Sequence, residues 1–303
     1  MTIQELRAYL ASTEQKDVIL DTDAFNEIDD QFCIAYLMKR QKEINLLGMV
    51  AAPFFNENST GAGDGMEKSY HEILKVQKLT DPDSKIPVFR GANAFLTDRF
   101  TPAPSEGCDF IIETVMSSKK PVLILAIGAI TNVASALLKC PEIASRAAVI
   151  WLGGHATHLE DGRVEFNLRG DIPAAQTVFD SKIPLVQIPC RGVCSIAATT
   201  WHELEYYLRG KNAVCDYLTD NVKRVSLEAS APYAKSRVIW DVSAGTVLLC
   251  PDALTLSERP CPVILDNGTY RLDADRHPYL YVAEIRRDAF FADLFRTLTG
   301  ELA

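Results

Sequence analysis

The sequence predicts an α/β protein: an open, mostly parallel sheet with helices on both faces, then a helical insertion and a short β-ribbon near the C-terminus. Three observations predict it. Short, almost wholly apolar runs recur along the first two thirds of the chain, the pattern of strands buried on both faces. Helix-length segments separate them, as parallel crossovers require. No low-complexity stretch or linker divides the chain, so residues 1–303 read as a single domain.

Thr2 and Glu5 have the spacing of a capping box, and Ile3, Leu6 and Leu10 form an apolar stripe, which predicts an N-terminal helix. Val18-Ile19-Leu20 is a buried strand that ends in the loop DTDAFNEIDD, and residues 28–40 follow as a helix. The rhythm continues with strand Ile44–Ala52, helix Met66–Leu79, strand Ile86–Phe89 and, after the Pro-rich loop FTPAPSEG, helix 107–118. PVLILAI (Pro121–Ile127) is a fully apolar strand, Thr131–Leu138 a helix, Ala147–Leu152 a strand, Pro173–Asp180 a helix and Pro184–Ile188 a strand. The alternation stops after residue 195. Residues 200–250 read as mostly helical, 262–285 as short strands turning at Asn267-Gly268, and 288–299 as a closing helix.

Acidic residues outnumber basic ones 40 to 31, giving a net charge of −9 and a pI near 5.1. Such a chain is a poor partner for nucleic-acid phosphates. It suits a small-molecule substrate or a cation. No apolar run reaches the ~20 residues that span a bilayer, so no membrane partner is expected. The N-terminus lacks the long apolar stretch of a secretory signal. The eight cysteines include no CxxC pair, and Cys33 and Cys250 lie in apolar segments. They read as reduced thiols of a cytoplasmic protein.

In open parallel sheets the ligand sits at the carboxyl ends of the strands. This directs attention to the loops DTDAFNEIDD, AAPFFNENSTGAGDG, AIGAITN and GGHATHLEDGRVEFN. The first holds Asp21, Asp23, Glu27, Asp29 and Asp30 within ten residues. Carboxylates this dense repel one another unless a cation neutralises them, and a hard cation such as Ca²⁺ or Mg²⁺ takes oxygen ligands. A helix N-terminus accounts for Asp29 and Asp30 without a metal. It does not account for Asp21 and Asp23, which directly follow an apolar strand.

ILDTDAFNEIDDQFCIAYL resembles the N-terminal signature of the nucleoside hydrolases of the inosine–uridine-preferring type, with Asp-x-Asp after the first strand and Asp-Asp opening the first helix. Further segments agree in order: Asn56 in AAPFFNEN, the strand-end segment AIGAITNVA, WLGGHATHLEDGRVEFN with its Gly-Gly and Glu-Phe-Asn, and RVIWDVSA with a late Asp. The similarity runs from residue 17 to about residue 250. It implies the fold class above, in Rossmann-like form, and a Ca²⁺-dependent N-ribohydrolase that releases base and ribose from a small-molecule nucleoside. It also implies a homodimer or homotetramer. Asp23, Asp30, Asp241 and the backbone carbonyl of Ile127 would ligate Ca²⁺, completing a shell of roughly seven or eight oxygens with water and ribose hydroxyls. Asp23 would be the catalytic base toward the metal-held water. Asp29, Asn56, Glu165 and Asn167 would bind the ribose, with Asp21 orienting its neighbours from behind.

The departures are informative. Two extra residues lie between Asp23 and Asp29 relative to the commonest pattern. Trp240 stands where many members carry a His proposed to protonate the leaving base. An indole has no such proton, but it can stack on a base, and purine-specific relatives stack bases in this way. His277 is the candidate substitute acid from the C-terminal region. The Asn that the family carries upstream of Glu-Phe-Asn is absent, with Glu160 or Asp161 in its stretch.

Other features read as structural. His155 and His158 lack the further ligands of a zinc site and read as loop histidines. GAGDG (61–65) lacks a Walker lysine and reads as a flexible turn. Trp151 reads as core, and Arg276, Arg286 and Arg287 as a solvated face. Two alternative functions are carried. One is a Mg²⁺-dependent phosphohydrolase of the haloacid dehalogenase type, because LDTD mimics its opening motif. The other is a catalytically silent nucleoside-binding protein on the same scaffold, because Trp240 replaces the acid.

Overall fold

The computed structural model describes residues 1–159, 162–228 and 235–302. Six strands alternate with helices as the apolar runs require: β1 (Lys16–Thr22), β2 (Ile44–Ala51), β3 (Val88–Arg90), β4 (Val122–Ala126), β5 (Ala147–Leu152) and β6 (Leu185–Ile188). The intervening helices are α2 (Asp30–Met38), α3 (Ala62–Thr80), α4 (Glu106–Ser117), α5 (Thr131–Lys139), α6 (Phe166–Gly170) and α7 (Ile172–Asp180), after an N-terminal α1 (Ile3–Ala11) with the expected Thr2–Glu5 capping box. Beyond them come the two-stranded pair β7 (Ala198–Thr199) and β8 (Arg237–Val238), helices α8 (Trp201–Tyr207), α9 (Ala213–Glu228) and α10 (Val242–Leu249), then β9 (Leu254–Pro260), β10 (Val263–Ile264), β11 (Tyr270–Arg271), β12 (Pro278–Ile285) and α11 (Arg287–Thr299).

The main sheet has eight strands in the order β3-β2-β1-β4-β5-β6-β12-β9. Every neighbouring pair is parallel except β12 with β9. Chain order reverses between β1 and β4, so the crevice outside their carboxyl ends is the switch point where such sheets bind ligands. β4 and β5 are buried at every residue, because helices cover both faces.

The C-terminal part differs from the sequence reading in two ways. The expected ribbon is the pair β10–β11, closed by Gly268 at φ 78° as its Asn-Gly turn requires. β12, however, leaves that ribbon and pairs in parallel with β6, and the polar edge strand β9 had no apolar pattern to announce it. The second difference is GAGDG. Rather than a flexible turn, it begins α3, and Gly65 is there for close packing: a Cβ would lie 2.1 Å from the Phe54 carbonyl oxygen. Gly65→Ala is therefore expected to destabilise the protein by about 1–3 kcal/mol, the usual range for overpacking, read as a lowered denaturation midpoint with unchanged slope.

Trp151 is fully buried, as expected. Of the three arginines Arg286 is exposed, as expected, and donates to the Leu254 carbonyl, while Arg276 and Arg287 are half-buried and pair with Asp180 and Glu203. All eight cysteines are free thiols. Among the described residues no helix is long and apolar enough to cross a membrane.

Candidate active site

β1 carries Asp21 on its last turnward residues and hands the chain to Asp23, at the carboxyl edge of the sheet centre. Asp29 and Asp30 open α2, and Asp241 opens α10. All five are at most 5% exposed. Carboxylate oxygens of Asp29, Asp30 and Asp241 lie within 4.8 Å of one another. The sequence reading had Asp23 in this ligand group and Asp29 outside it; among the described residues Asp29 completes the close triad.

The local bonds show what each carboxylate has left to offer. Thr22 donates its hydroxyl to Asp30, the Trp240 backbone N–H donates to Asp29 at 2.9 Å, and Asn132 Nδ2 donates to Asp21 Oδ1 at 2.8 Å. Both oxygens of Asp23 and Oδ2 of Asp21 are buried without a donor. Burial pushes Asp21 up to about 7. Burial, then repulsion from Asp30, pushes Asp29 up to about 6, and Asp30 also reaches about 6 through burial. Asp23 rises well above the usual carboxylate range through burial and the charges of Asp30, Asp29 and Glu165. Asp241 does so through burial and the charges of Asp29, Asp30 and Asp23. Ionised together, these groups need a cation. A buried cluster of oxygen donors with unsatisfied lone pairs fits a hard divalent ion, and the buried Asp29–Asp30–Asp241 triad fits a Ca²⁺ site.

Two of the triad, Asp29 and Asp241, line a cavity of about 200 Å³ together with Asp23, Ile127, Glu165, Asn167 and Trp240. Asn167 is clamped between strand ends: its Nδ2 donates to the carbonyls of Ile127 and Leu152, both at 3.0 Å. Glu165 caps α6, accepting from the backbone N–H groups of Asn167 at 2.8 Å and of Leu168 and Gly154 at 2.9 Å. These bonds oppose the upward push of burial on its carboxyl. Gly128 lets the β4 loop pass close to Asp23, since a Cβ there would sit 2.9 Å from its Cγ.

Two expected residues lie elsewhere. Asn56 lines the neighbouring groove, where its amide donates to Asn26 Oδ1 at 2.6 Å, and Asn26 lines both spaces. His277 immediately precedes β12, which runs parallel to β6, so it lies at the amino edge of the sheet, opposite the cavity. That geometry removes His277 as a leaving-group acid. Glu160 and Asp161 lie outside the described residues. His155 does line the cavity, as a loop histidine whose Nδ1 accepts from the Arg191 N–H at 3.3 Å. Sequence reasoning missed Cys190, Arg191 and Phe166, which share this cavity. Cys190 and Arg191 follow β6, and the strand-end rule applied to the other loops would have found them.

A family model described as inosine-uridine preferring nucleoside hydrolase matches residues 18–292. The uncharacterized protein C1683.06c of Schizosaccharomyces pombe is 31% identical over 200 residues, 57% of this chain and 60% of that protein. The pyrimidine-specific ribonucleoside hydrolase RihA of Escherichia coli O1:K1 / APEC is 37% identical over 152 residues, 42% of this chain and 49% of that protein. The chain thus spans about half to three fifths of the length of these curated relatives. The purine-preferring ribonucleoside hydrolase from Gardnerella vaginalis superposes with a TM-score of 0.79 at 20% identity, covering 95% of this chain and all of that one (100%). A plant nucleoside hydrolase, PpNRh1, gives 0.77 at 18% identity, covering 94% and 99%. At these identities the superpositions establish the fold.

Proposed function

The chain belongs to the inosine-uridine preferring nucleoside hydrolase family, and from that membership we propose that it hydrolyses the N-glycosidic bond of ribonucleosides with Ca²⁺ as cofactor. The observation that carries the reading is the buried Asp29–Asp30–Asp241 triad beside an Asp23 whose two oxygens have no donor. Asp29, Asp30 and Asp241 would hold the ion, with the Ile127 carbonyl and Asp23 in the cavity that Asp29 and Asp241 line. Bound there, Ca²⁺ supplies positive charge that orients ribose hydroxyls and makes a water more acidic.

The chain's own groups do the rest. Asp23 takes the proton of the attacking water, since its carboxylate is unpartnered and burial raises its affinity for a proton. Glu165, fixed by backbone N–H groups, accepts from a ribose hydroxyl, and Asn167, whose two amide N–H groups are given to the Ile127 and Leu152 carbonyls, accepts through its Oδ1. The surrounding carboxylates favour the oxocarbenium-like charge that develops on the sugar as the C–N bond breaks. Trp240 offers an indole face to the departing base in place of a proton. That supports a preference for purines, whose larger ring systems stack better.

Trp240→Ala is expected to lower kcat/KM for inosine by about 5- to 150-fold, from ~1–3 kcal/mol of stacking, and to affect uridine less. Equal losses on both substrates would count against stacking. The function itself is tested by assaying base release from a panel of purine and pyrimidine ribosides with wild type and Asp23→Ala. Release by wild type alone supports the reading. Riboside binding without release by wild type would leave a binding protein. Turnover of phosphate esters but not ribosides would return the phosphohydrolase alternative, which the family assignment does not support.

We also propose a single domain that works as a homo-oligomer. Free thiols at all eight cysteines support a reducing compartment such as the cytoplasm.

A further inference from the structure

Glu165 is held by three backbone N–H groups, and only those of Asn167 and Leu168 belong to its own helix. The third comes from Gly154, just past the end of β5. We infer that Gln187 and Tyr270 are positioning residues for Glu165, acting through the peptide between Gly153 and Gly154. The inference rests on the nucleosidase reading above, in which Glu165 accepts from a ribose hydroxyl, and extends it to two residues that do not line the cavity.

One peptide unit carries the connection. Its N–H, on Gly154, donates to Glu165 Oε2 at 2.9 Å, and its C=O, on Gly153, accepts from Gln187 Nε2 at 2.9 Å. A trans peptide is planar, with N–H and C=O pointing opposite ways, so fixing the carbonyl aims the N–H. Gln187 lies on β6, fully buried, and is itself fixed at both ends of its amide. Nε2 also donates to the Tyr270 hydroxyl at 2.8 Å, and Oε1 accepts from the Tyr279 hydroxyl at 3.2 Å. The Gly153 carbonyl can only accept, which sets the end of the amide that faces it as nitrogen. Tyr270 comes from β11, and its hydroxyl fills the space a side chain on Gly154 would need: a Cβ there would stand 1.7 Å from it. The same ribbon meets the segment again just before Glu165, where a Cβ on Gly268 would lie 2.6 Å from Val164. The ribbon is tied in turn to α7, where Gln176 Nε2 donates to the Ile264 carbonyl at 3.1 Å. The β10–β11 ribbon thus braces both ends of the segment that delivers Glu165 to the cavity.

The test measures kcat/KM for inosine and its 2′-, 3′- and 5′-deoxy analogues with wild type, Glu165→Gln, Gln187→Met and Tyr270→Phe, beside thermal melts that report folding. Glu165→Gln identifies the hydroxyl that Glu165 holds, as the one whose removal costs this variant less than wild type. Wild type should lose about 10- to 150-fold at that hydroxyl, the worth of a hydrogen bond to a charged group. Gln187→Met should shrink the loss there to within about threefold and leave the losses at the other two hydroxyls unchanged. Tyr270→Phe, which removes one oxygen and keeps the ring, should shrink it part-way, and it decides alone if Gln187→Met does not fold. A residue that serves folding only would lower all four ribosides together. Such a uniform loss, or wild-type discrimination kept by the folded variants, overturns the positioning role and leaves the nucleosidase intact. So does a Glu165→Gln variant that pays the wild-type penalty at every hydroxyl. Wild type that cleaves none of the ribosides overturns the nucleosidase reading and this inference with it.

Discussion

Asp241→Asn is expected to abolish riboside cleavage, with a loss of at least about 10³-fold, while the metal-free protein stays as stable as wild type or becomes more stable. The two halves have one cause. Asp241 opens α10 with its carboxylate against those of Asp29 and Asp30, at 5% exposure. Without a cation its carboxyl is held protonated by burial and by those neighbouring charges, so an isosteric amide removes little that folding depends on. With a cation, the same substitution deletes a charged ligand from a cluster of three. Thermal melts with and without Ca²⁺, run beside the activity assay, separate the effects. Wild type should melt higher in Ca²⁺ and the variant should not respond, because only a ligand that binds the folded state raises its stability. A variant that melts well below wild type without Ca²⁺ would mean that Asp241 is a structural residue.

The second large effect is a reversal of pH dependence by the ion. Asp29 and Asp30 reach about 6 in the folded chain, against 3.8 as the ordinary value. Between those values the folded state binds more protons than the unfolded one. Their contribution to stability is fully present below 3.8 and is lost as pH rises through about 6. At 1.36 kcal/mol per unit, each such carboxylate contributes at most about 3 kcal/mol. Metal-free protein should therefore melt higher at pH 5.5 than at pH 7.5, a window chosen around those values. Asp21, pushed up to about 7, acts in the same sense. His277, half-buried and pushed down by burial, opposes it as a single group. Ca²⁺ needs the carboxylates ionised, so its stabilisation should grow from pH 5.5 to pH 7.5 and offset the loss. Metal-free protein that loses stability on acidification across this window would contradict the electrostatic account.

Much of this was legible before the structure. The sheet centre was readable because β1, β4 and β5 are buried on both faces, which leaves continuous apolar runs. The acidic cluster was readable because Asp21 and Asp23 have no local reason to follow such a run. What could not be read is spatial. Nothing in ADRHPYL tells which end of a strand His277 will occupy; that depends on β12 joining β6 in parallel. Edge strand β9, LTLSERP, alternates weakly because one side meets solvent. Gly65 looks like a turn residue until Phe54 is seen against it. That Asp29 stands within 4.8 Å of Asp30 and Asp241 is likewise a matter of how α2 and α10 meet, which side-chain types do not encode. Asn56 keeps the expected position after β2, yet its amide is spent on Asn26.

The most direct test of the central claim is the stoichiometry of inosine cleavage in phosphate-free buffer, with Ca²⁺ and then with chelator. The account predicts equal amounts of hypoxanthine and free ribose, lost on chelation and restored by added Ca²⁺. Absence of both products while calorimetry shows Ca²⁺ bound to the protein would contradict it.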